Sequence, residues 1–511
     1  MDILVSTIVG DLVSRSASFV IGKYFRQQPG IDEILQRLQR VVPRIDTVVE
    51  EAEGRHITNQ GMLRQLKMLR QAIYRGHYVL DALRFQPALD EEEEVSHSST
   101  AAAALSESST GPAKRLRFSG GGSKREAAAL FMFGANKSIR EDLQRAVGTL
   151  EDTMDSGMKE FIFFLESYPR VPRQPYCTYL LLENCMFGRQ TERELVLNFL
   201  LRPSTSAIPS LPVLPIIGPL RVGKSTLVEH VCRDEHVRDH FSKILFFAEG
   251  SLEDEGVIDL RGSSNFEVRY QNSASQSDNR LLVIVEVAEE IREGTWRRLK
   301  SSVSRMAPCG GSKIIVTSRS DRIMDLGTTE ALRLRRLPPD AHWYFFKSLA
   351  FGSTDPDEHP NLARMAMEIA NAEPRRCWMG THVVAGILRE NFDARLWRAV
   401  LERVRQHRKM HRPRREDEPP ALYNWRLGRS CKHFLICKHH RSDSSGEVPK
   451  ISLHDVVLGR GGRLPRGEFQ ALALRTSIPP YYNYTVSCIV TAPQPTTGRK
   501  KPVIQEEGDL V

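Results

Sequence analysis

The segment from Gly218 to Thr226 reads Gly-Pro-Leu-Arg-Val-Gly-Lys-Ser-Thr, and these residue types at this spacing could bind phosphate. They match G-x-x-x-x-G-K-[ST], a loop whose backbone N–H groups point at phosphate oxygens while the following helix adds partial positive charge. In this pattern Lys224 reaches the terminal phosphates and the Ser225 hydroxyl is a ligand of Mg²⁺. The predicted nucleotide-binding residues of this loop are Gly218, Val222, Gly223, Lys224, Ser225 and Thr226.

The sequence around this loop favours the strand–loop–helix context that phosphate binding needs. An apolar run ends at Ile217, directly before the loop, and an apolar helical pattern begins at Thr226. The alternative is a glycine-containing turn left over from a phosphate loop that no longer binds. Leu220 and Arg221 favour that alternative, because their side chains would crowd a loop in which glycine would leave room.

Hydrolysis of a bound nucleotide would need a second strand that brings carboxylates to Mg²⁺ and water. In the candidate strand, residues 281–287, Val285 and Glu286 stand near the end, so the strand has no acidic pair. Valine can neither hold a magnesium-bound water nor polarise an attacking one. Glu286 is the candidate catalytic carboxylate if the strand end shifts, and otherwise an ordinary acidic residue at a strand end. We therefore expect weak Mg²⁺ binding and weak or absent turnover.

The periodicity of apolar residues divides the chain into regions. Three-to-four spacing predicts helices, and strand-like runs that alternate with amphipathic helices predict an α/β fold, a parallel sheet with flanking helices. An acidic stretch followed by Ser, Ala and Gly is typical of disorder. The predicted regions are an N-terminal helical bundle (1–87 and 127–168), a disordered insertion (88–126), a P-loop nucleotide-binding domain (180–350), a helical subdomain (351–410) and an irregular C-terminal region of unassigned fold (411–511).

Composition excludes several classes of protein. The chain has 511 residues, a net charge of +9 and eight cysteines. A net charge of +9 over this length is too small to indicate nucleic-acid binding. Eight cysteines are too few for a disulfide scaffold and indicate a reducing compartment. No run approaches the ~20 clean apolar residues of a membrane helix, so we expect a cytoplasmic protein. The basic cluster Lys114, Arg115 and Arg117 would also fit nuclear import, although a solvated loop is the simpler interpretation.

Several separate stretches together resemble one family, the plant nucleotide-binding leucine-rich-repeat (NB-ARC) immune receptors with an N-terminal coiled-coil domain of the Rx type. The resemblance implies ADP or ATP as ligand, backbone contacts to adenine at Gly188 and Arg189, and a sensor role for Arg319 facing the terminal phosphate. Within this class the sequence is most similar to cereal members without a repeat domain, and we find no leucine-rich repeat in it. The matching stretches are Ala72–Asp81, Met186–Gln190, Gly218–Thr226, Asn279–Val287, Gly311–Arg319 and Leu334–Lys347.

The sequence also departs from the family pattern. Val285 and Glu286 stand where the family has the Walker B aspartates, and residues 75–77 (Arg-Gly-His) replace carboxylates of its acidic helix motif. The Gly-Leu-Pro-Leu segment that closes the family's nucleotide pocket is missing, with residues 372–377 nearby. Residues 452–456 resemble the family's Met-His-Asp motif only in part, and a loop His-Asp pair is the simpler interpretation.

Three functions remain open at this point. The first is an immune-receptor-like switch that binds ADP or ATP, has a degenerate hydrolytic site, and signals to other proteins through the N-terminal bundle, by self-association or by pairing with other receptors. The second is a non-catalytic adaptor that pairs with full-length receptors without binding nucleotide. The third is a working NTPase, and Val285 counts against it.

Overall fold

The computed structural model describes residues 31–85, 141, 143–153, 158–170, 186–202, 211–248, 267–271, 280–288, 290–307, 311–373, 376, 378–410, 423–426, 433–443, 448–458, 465, 467–477 and 481–491. The chain divides into two compact units, Met1–Glu416 with Ser477–Pro480, and Asp417–Thr476 with Tyr481–Val511. The predicted disordered insertion, 88–126, and its basic cluster lie outside the described residues. None of the helices in the described ranges is long and apolar enough to span a membrane.

The first unit begins with helices that share one hydrophobic core. They are α1 (Ile31–Glu53), α2 (Gln60–Arg84), α3 (143–153) and α4 (Met158–Leu165). Buried side chains recur every three to four residues, as with the fully buried Leu38 and Ile45 of α1, so each helix turns one apolar face inward. Helix α2 begins after Asn59, whose Oδ1 accepts a hydrogen bond from the N–H of Gly61 at 2.7 Å. The predicted N-terminal helical region is confirmed.

A six-stranded sheet follows, with strand order β3-β2-β4-β5-β1-β6. Its strands are β1 (Val213–Ile217), β2 (Lys243–Phe247), β3 (Glu267–Gln271), β4 (Leu281–Glu286), β5 (Lys313–Ser318) and β6 (Leu332–Arg333). All neighbouring strands are parallel except β2 and β3. The sheet is therefore mostly parallel rather than wholly parallel as predicted. Strand β3 is an edge strand of exposed and half-buried residues, so it lacks the apolar run that identifies a central strand.

Helices cover both faces of this sheet. They are α5 (Gln190–Leu201), α6 (Lys224–Cys232), α7 (Glu235–His240) and α8 (Glu293–Met306). Strand β4 shows how the two faces are filled: Leu282 and Ile284 pack in the core that includes α6, whereas Val283 and Val285 pack in the core that includes α8. Burial of alternate residues on two faces explains why the central strands are continuous apolar runs.

A buried lysine joins the sheet to the end of α5. The Nζ of Lys313, the first residue of β5, donates hydrogen bonds to the carbonyl oxygens of Phe199 (2.7 Å), Leu200 (2.9 Å) and Arg202 (2.6 Å). Carbonyl groups at a helix C-terminus have no partner within the helix and attract positive charge. Burial, aided by the charge of Arg280, lowers the pKa of Lys313 to about 8. This side chain therefore fixes α5 against the sheet.

Four more helices complete the first unit: α9 (Pro339–Phe351), α10 (Pro360–Ala372), α11 (Trp378–Glu390) and α12 (Ala394–Met410). Helices α10, α11 and α12 lie in the region in which the sequence predicts a helical subdomain, 351–410, whereas α9 lies almost wholly before it. Large aromatic side chains fill the space between them, and the rings of Phe351 and Trp397 meet edge to face at 5.4 Å between centroids. Helix α9 also packs against α2, which connects these helices to the N-terminal ones.

The second unit contains an antiparallel sheet with strand order β7-β8-β10-β9. Its elements are β7 (Tyr423–Arg426), β8 (His433–Asp443), the short helix α13 (Leu453–Leu458), β9 (Gly467–Arg475) and β10 (Tyr482–Thr491). The expected irregular region thus contains regular strands. The central strand β10 alternates apolar residues (Tyr482, Tyr484, Val486 and Cys488) with polar ones, as a strand does, and it also buries the polar Asn483 and Thr485.

The segment that partly resembles the Met-His-Asp motif begins helix α13. The Ser452 hydroxyl donates to Asp455 Oδ2 at 2.6 Å, and the Asp455 N–H donates to the Ser452 oxygen at 3.0 Å. A serine and an acidic residue three positions apart, bonded in this way, form a helix N-terminal cap. Asp455 therefore has a local structural role, in line with the simpler interpretation of this pair.

Candidate functional site

The predicted phosphate loop connects β1 to α6. Gly218 directly follows β1, and a Cβ at this position would lie 2.5 Å from the carbonyl oxygen of Leu334, so only glycine fits. Gly223, at the start of α6, has a φ of +96°, which glycine adopts without strain. The strand–loop–helix context predicted from sequence is therefore present, with Ser225 and Thr226 in the first turn of the helix.

Lys224 folds back over the loop that precedes it. Its Nζ donates hydrogen bonds to the carbonyl oxygens of Gly218 at 2.7 Å and Pro219 at 3.0 Å. These contacts hold the ammonium group against the loop. A phosphate that entered the loop would compete with these carbonyl partners, and phosphate oxygens are the stronger acceptors for an ammonium group.

A cleft adjoins the loop. Its walls come from four separate stretches of the chain: the segment before α5, the phosphate loop with the first turn of α6, the residues just before α9, and the residues at the start of α11. The lining residues are Met186, Phe187, Arg189, Leu220, Arg221, Val222, Gly223, Thr226, Arg336, Leu337, Arg376 and Trp378.

Four of the eight predicted binding residues, Arg189, Val222, Gly223 and Thr226, line this cleft. Lys224 and Ser225 adjoin them in the chain, whereas Gly218 lies four residues before Val222. Gly188 has a φ of +70°, and a Cβ there would lie 2.4 Å from a methyl group of Leu337. Its lack of a side chain therefore allows the segment before α5 to lie close to Leu337, another lining residue.

The side chain of Arg189 holds two walls of the cleft together. Its Nη2 donates to the carbonyl oxygens of Val222 at 3.2 Å and Arg335 at 2.6 Å, and its Nη1 is 3.9 Å from Glu192. Burial lowers the pKa of Arg189 below its ordinary value. Because its donors are used on backbone groups, this guanidinium positions the loop.

Part of the cleft lining is apolar and aromatic. Met186, Phe187 and Leu337 line the cleft together with Trp378, whose ring centroid is 4.1 Å from that of His382. The Trp378 Nε1 is buried and has no hydrogen-bond partner within the described part of the chain. Sequence analysis did not identify Trp378, although it comes directly after the residues that replace the family's Gly-Leu-Pro-Leu segment.

Glu286 and Arg319 lie at the ends of neighbouring strands. In the register of the sheet Glu286 pairs with Thr317, and Ser318 pairs with Ile217, so β5 lies between β4 and the phosphate loop. Glu286 comes two residues after Ile284 and therefore faces the side of the sheet that packs against α6. Its Oε1 is buried without a hydrogen-bond partner in the residues described. Neither Glu286 nor Arg319 lines the cleft itself.

The donor set at this edge does not fit a complete Mg²⁺ site. The side chain of Val285 is a hydrocarbon and has no oxygen to offer, and it is fully buried in the apolar core with α8. One carboxylate, Glu286, and one hydroxyl, Ser225, remain for a task that ordinarily needs a metal held from both sides. Within the described ranges, no group of three or more His, Cys, Asp or Glu residues could hold a metal ion.

Comparison with known proteins finds similarity to one class of protein. Residues 8–110 match the Rx N-terminal domain. The chain is 23% identical to disease resistance protein RGA2 of Solanum bulbocastanum over 458 residues, which are 84% of this chain and 43% of that protein. It is 22% identical to putative disease resistance RPP13-like protein 1 of Arabidopsis thaliana over 400 residues, 74% of this chain and 35% of that protein.

The chain is a homologue of plant disease resistance proteins. A third relative, putative disease resistance protein RGA4 of Solanum bulbocastanum, is 26% identical over 57% of this chain and 30% of its own length. The chain thus spans less than half the length of these curated relatives. The resemblance inferred from sequence is confirmed at this level. The finer assignments, to the NB-ARC class and to the cereal type without repeats, stay predictions.

Proposed function

We propose that this homologue of plant disease resistance proteins is an intracellular immune-receptor-like protein whose P-loop domain binds ADP or ATP as a switch. The observation that supports the proposal is the cleft, whose lining includes the phosphate-loop residues Gly223 and Thr226 and the aromatic residues Phe187 and Trp378. A nucleotide has the matching division into a charged phosphate end and a flat apolar base.

The origin of the cleft walls supports a switch rather than a simple binding site. The phosphate loop directly follows β1 of the sheet, whereas Trp378 is the first residue of α11 and Arg376 lies just before that helix. A ligand that touches both walls binds more tightly when the walls are packed together than when they are apart. This difference in binding free energy stabilises the packed state. Loss or exchange of the nucleotide would then loosen α11 and the helices around it.

The N-terminal helices are the proposed output of the switch. Helix α2 packs against α9, and α9 packs against α11, whose first residue, Trp378, lines the cleft. We propose that they contact other proteins, either a second copy of this chain or another receptor. The hydrolytic site is proposed to be degenerate, since Val285 replaces an acidic side chain and lies in the core. The nucleotide would then leave mainly by exchange.

Calorimetric titration of the full chain with ADP tests this proposal. The wild type should bind ADP, and Lys224→Ala should weaken binding about tenfold or more, which is ~1.4 kcal/mol. The matched control is Lys159→Ala, which removes the same side chain from an exposed position on α4 and should bind like the wild type. Equal affinity of wild type and Lys224→Ala would contradict the proposal.

A second candidate function is supported by the conformation of the loop. Lys224 is bonded to the carbonyls of Gly218 and Pro219, and Arg221 occupies a backbone conformation that favours glycine. Both features fit a loop closed on itself in an adaptor that pairs with receptors without nucleotide. No heat of ADP binding in the wild type, with the protein folded, would favour this candidate.

A further inference from the structure

The charge along the cleft is strongly one-sided. Among the residues that the structure describes, its lining includes Arg189, Arg221, Arg336 and Arg376 and no carboxylate. Two of these guanidinium groups donate to backbone carbonyls: Arg189 as described above, and Arg376, whose Nε donates to Leu337 at 2.8 Å. Arg221 is exposed and belongs to the phosphate loop itself. The cleft therefore attracts an anion, and Arg221 is the arginine next to the place that the sequence pattern assigns to phosphate.

The backbone at Arg221 is in an unfavourable conformation. Among the described residues, the non-glycine residues with positive φ are Arg221 (+62°) and Arg376 (+42°), and both line this cleft. For an L-residue the left-handed region is costly, and glycine would relieve the cost. Such strain persists where the surrounding structure or a function requires the side chain. At position 221 the side chain supplies a positive charge within the loop.

The metal that ordinarily neutralises nucleotide phosphates has an incomplete donor set here, because Val285 is apolar and fully buried. Arginine can take over part of this task, since its planar guanidinium binds phosphate oxygens through two parallel hydrogen bonds and stays charged at every relevant pH. Position 285 thus offers no side-chain ligand for a metal, and Arg221 adds a cation within the phosphate loop.

We propose that Arg221 is a phosphate-binding residue that neutralises the nucleotide in place of Mg²⁺, so that the cleft takes the metal-free nucleoside diphosphate or triphosphate. This proposal rests on the proposed function and adds to it the ionic form of the ligand. Because ATP binds Mg²⁺ more tightly than ADP does, a site that takes metal-free nucleotide favours ADP in any solution that contains magnesium.

The test is a titration of the full chain with ADP, performed once in EDTA and once with excess MgCl₂. The wild type should bind ADP at least as tightly in EDTA as in MgCl₂, where a difference of up to about threefold counts as equal affinity. Arg221→Gly should weaken binding in EDTA about tenfold or more, which is ~1.4 kcal/mol. Because glycine suits this backbone, its Tm should not fall, so the loss of affinity cannot be attributed to misfolding. Arg221→Gln, which keeps the strain and removes the charge, should lose affinity to a similar extent.

The control is Arg233→Gly, which removes the same charge just after α6 and outside the cleft lining, and it should bind like the wild type. Unchanged affinity of Arg221→Gly in EDTA, or wild-type binding that requires Mg²⁺, overturns the inference while leaving nucleotide binding intact. Absence of ADP binding by the wild type in both buffers overturns the proposed function and this inference together.

Discussion

Asp81 of α2 accepts a hydrogen bond from the indole Nε1 of Trp343 in α9 at 2.9 Å, and both side chains are buried. Lys347, one turn further along α9, also donates to the same carboxylate oxygen. Burial raises the pKa of Asp81, but the charge of Lys347 and its hydrogen bond outweigh burial, so that pKa lies below its ordinary value. A charged hydrogen-bonded group thus joins the N-terminal helices to the helices that follow the sheet.

We expect Asp81→Asn to destabilise this contact, because it leaves Lys347 without its counter-ion in a largely buried place. The free energy of unfolding, measured by urea denaturation with tryptophan fluorescence, should fall by about 3 kcal/mol. Since the pKa of Asp81 is lowered on folding, this contribution is present at neutral pH and is lost as pH falls through the folded-state pKa.

The control for Asp81 is Asp239→Asn at an exposed position of α7, which should leave the unfolding curve unchanged. The double variant Asp81→Asn with Lys347→Met removes both charges and should regain part of the lost stability, because no uncompensated charge remains. Equal stabilities of Asp81→Asn and Asp239→Asn would show that the buried pair contributes nothing.

Turnover should be at background level. With excess Mg²⁺ and ATP, phosphate release by the wild type should equal that by Lys224→Ala and Glu286→Gln, because one carboxylate cannot hold the metal and align the water. Val285→Asp is not a clean rescue, since Val285 is fully buried and an unpaired carboxylate there costs several kcal/mol. Rapid release by the wild type that Lys224→Ala abolishes would establish a working NTPase.

Acid should destabilise the first unit through buried His342. Burial, aided by the charge of Arg376, lowers its pKa from 6.5 to about 4. As pH falls, His342 is therefore protonated in the unfolded chain before it is protonated in the folded protein. The free energy of unfolding should fall by about 3 kcal/mol between pH 6.5 and pH 4 through this residue. In urea denaturation at several pH values, His342→Gln should lose this part of the pH dependence, whereas His236→Gln, at an exposed position, should keep the wild-type profile.

The sequence was sufficient to predict the parts of the fold that local patterns determine. Long apolar runs identified the central strands, and the glycine–lysine–serine spacing located the loop between β1 and α6. Strand β3 was missed because an edge strand needs no apolar run. Strand β10 alternates apolar and polar residues, but that pattern does not show that its polar residues Asn483 and Thr485 are buried too. Burial of polar residues depends on partners elsewhere in the chain, which periodicity does not show.

The site was predicted only where a contiguous motif forms it. Arg336, Leu337 and Trp378 line the cleft but come from segments more than a hundred residues after the loop, and no local pattern connects them to it. Arg221 was recognised in sequence as an obstacle to phosphate binding. The structure supports a different interpretation, because the side chain that crowds the loop also supplies its charge.

The nucleotide content of the purified protein tests the central claim most directly. The full chain, purified without added nucleotide, is denatured, and the released nucleotides are separated by anion-exchange chromatography. The wild type and Lys159→Ala should release about one ADP per chain, since a tightly held ligand dissociates slowly, and Lys224→Ala should release about tenfold less. A folded wild-type protein that releases no nucleotide, or the same amount as Lys224→Ala, would contradict the account of this chain as a nucleotide-binding switch.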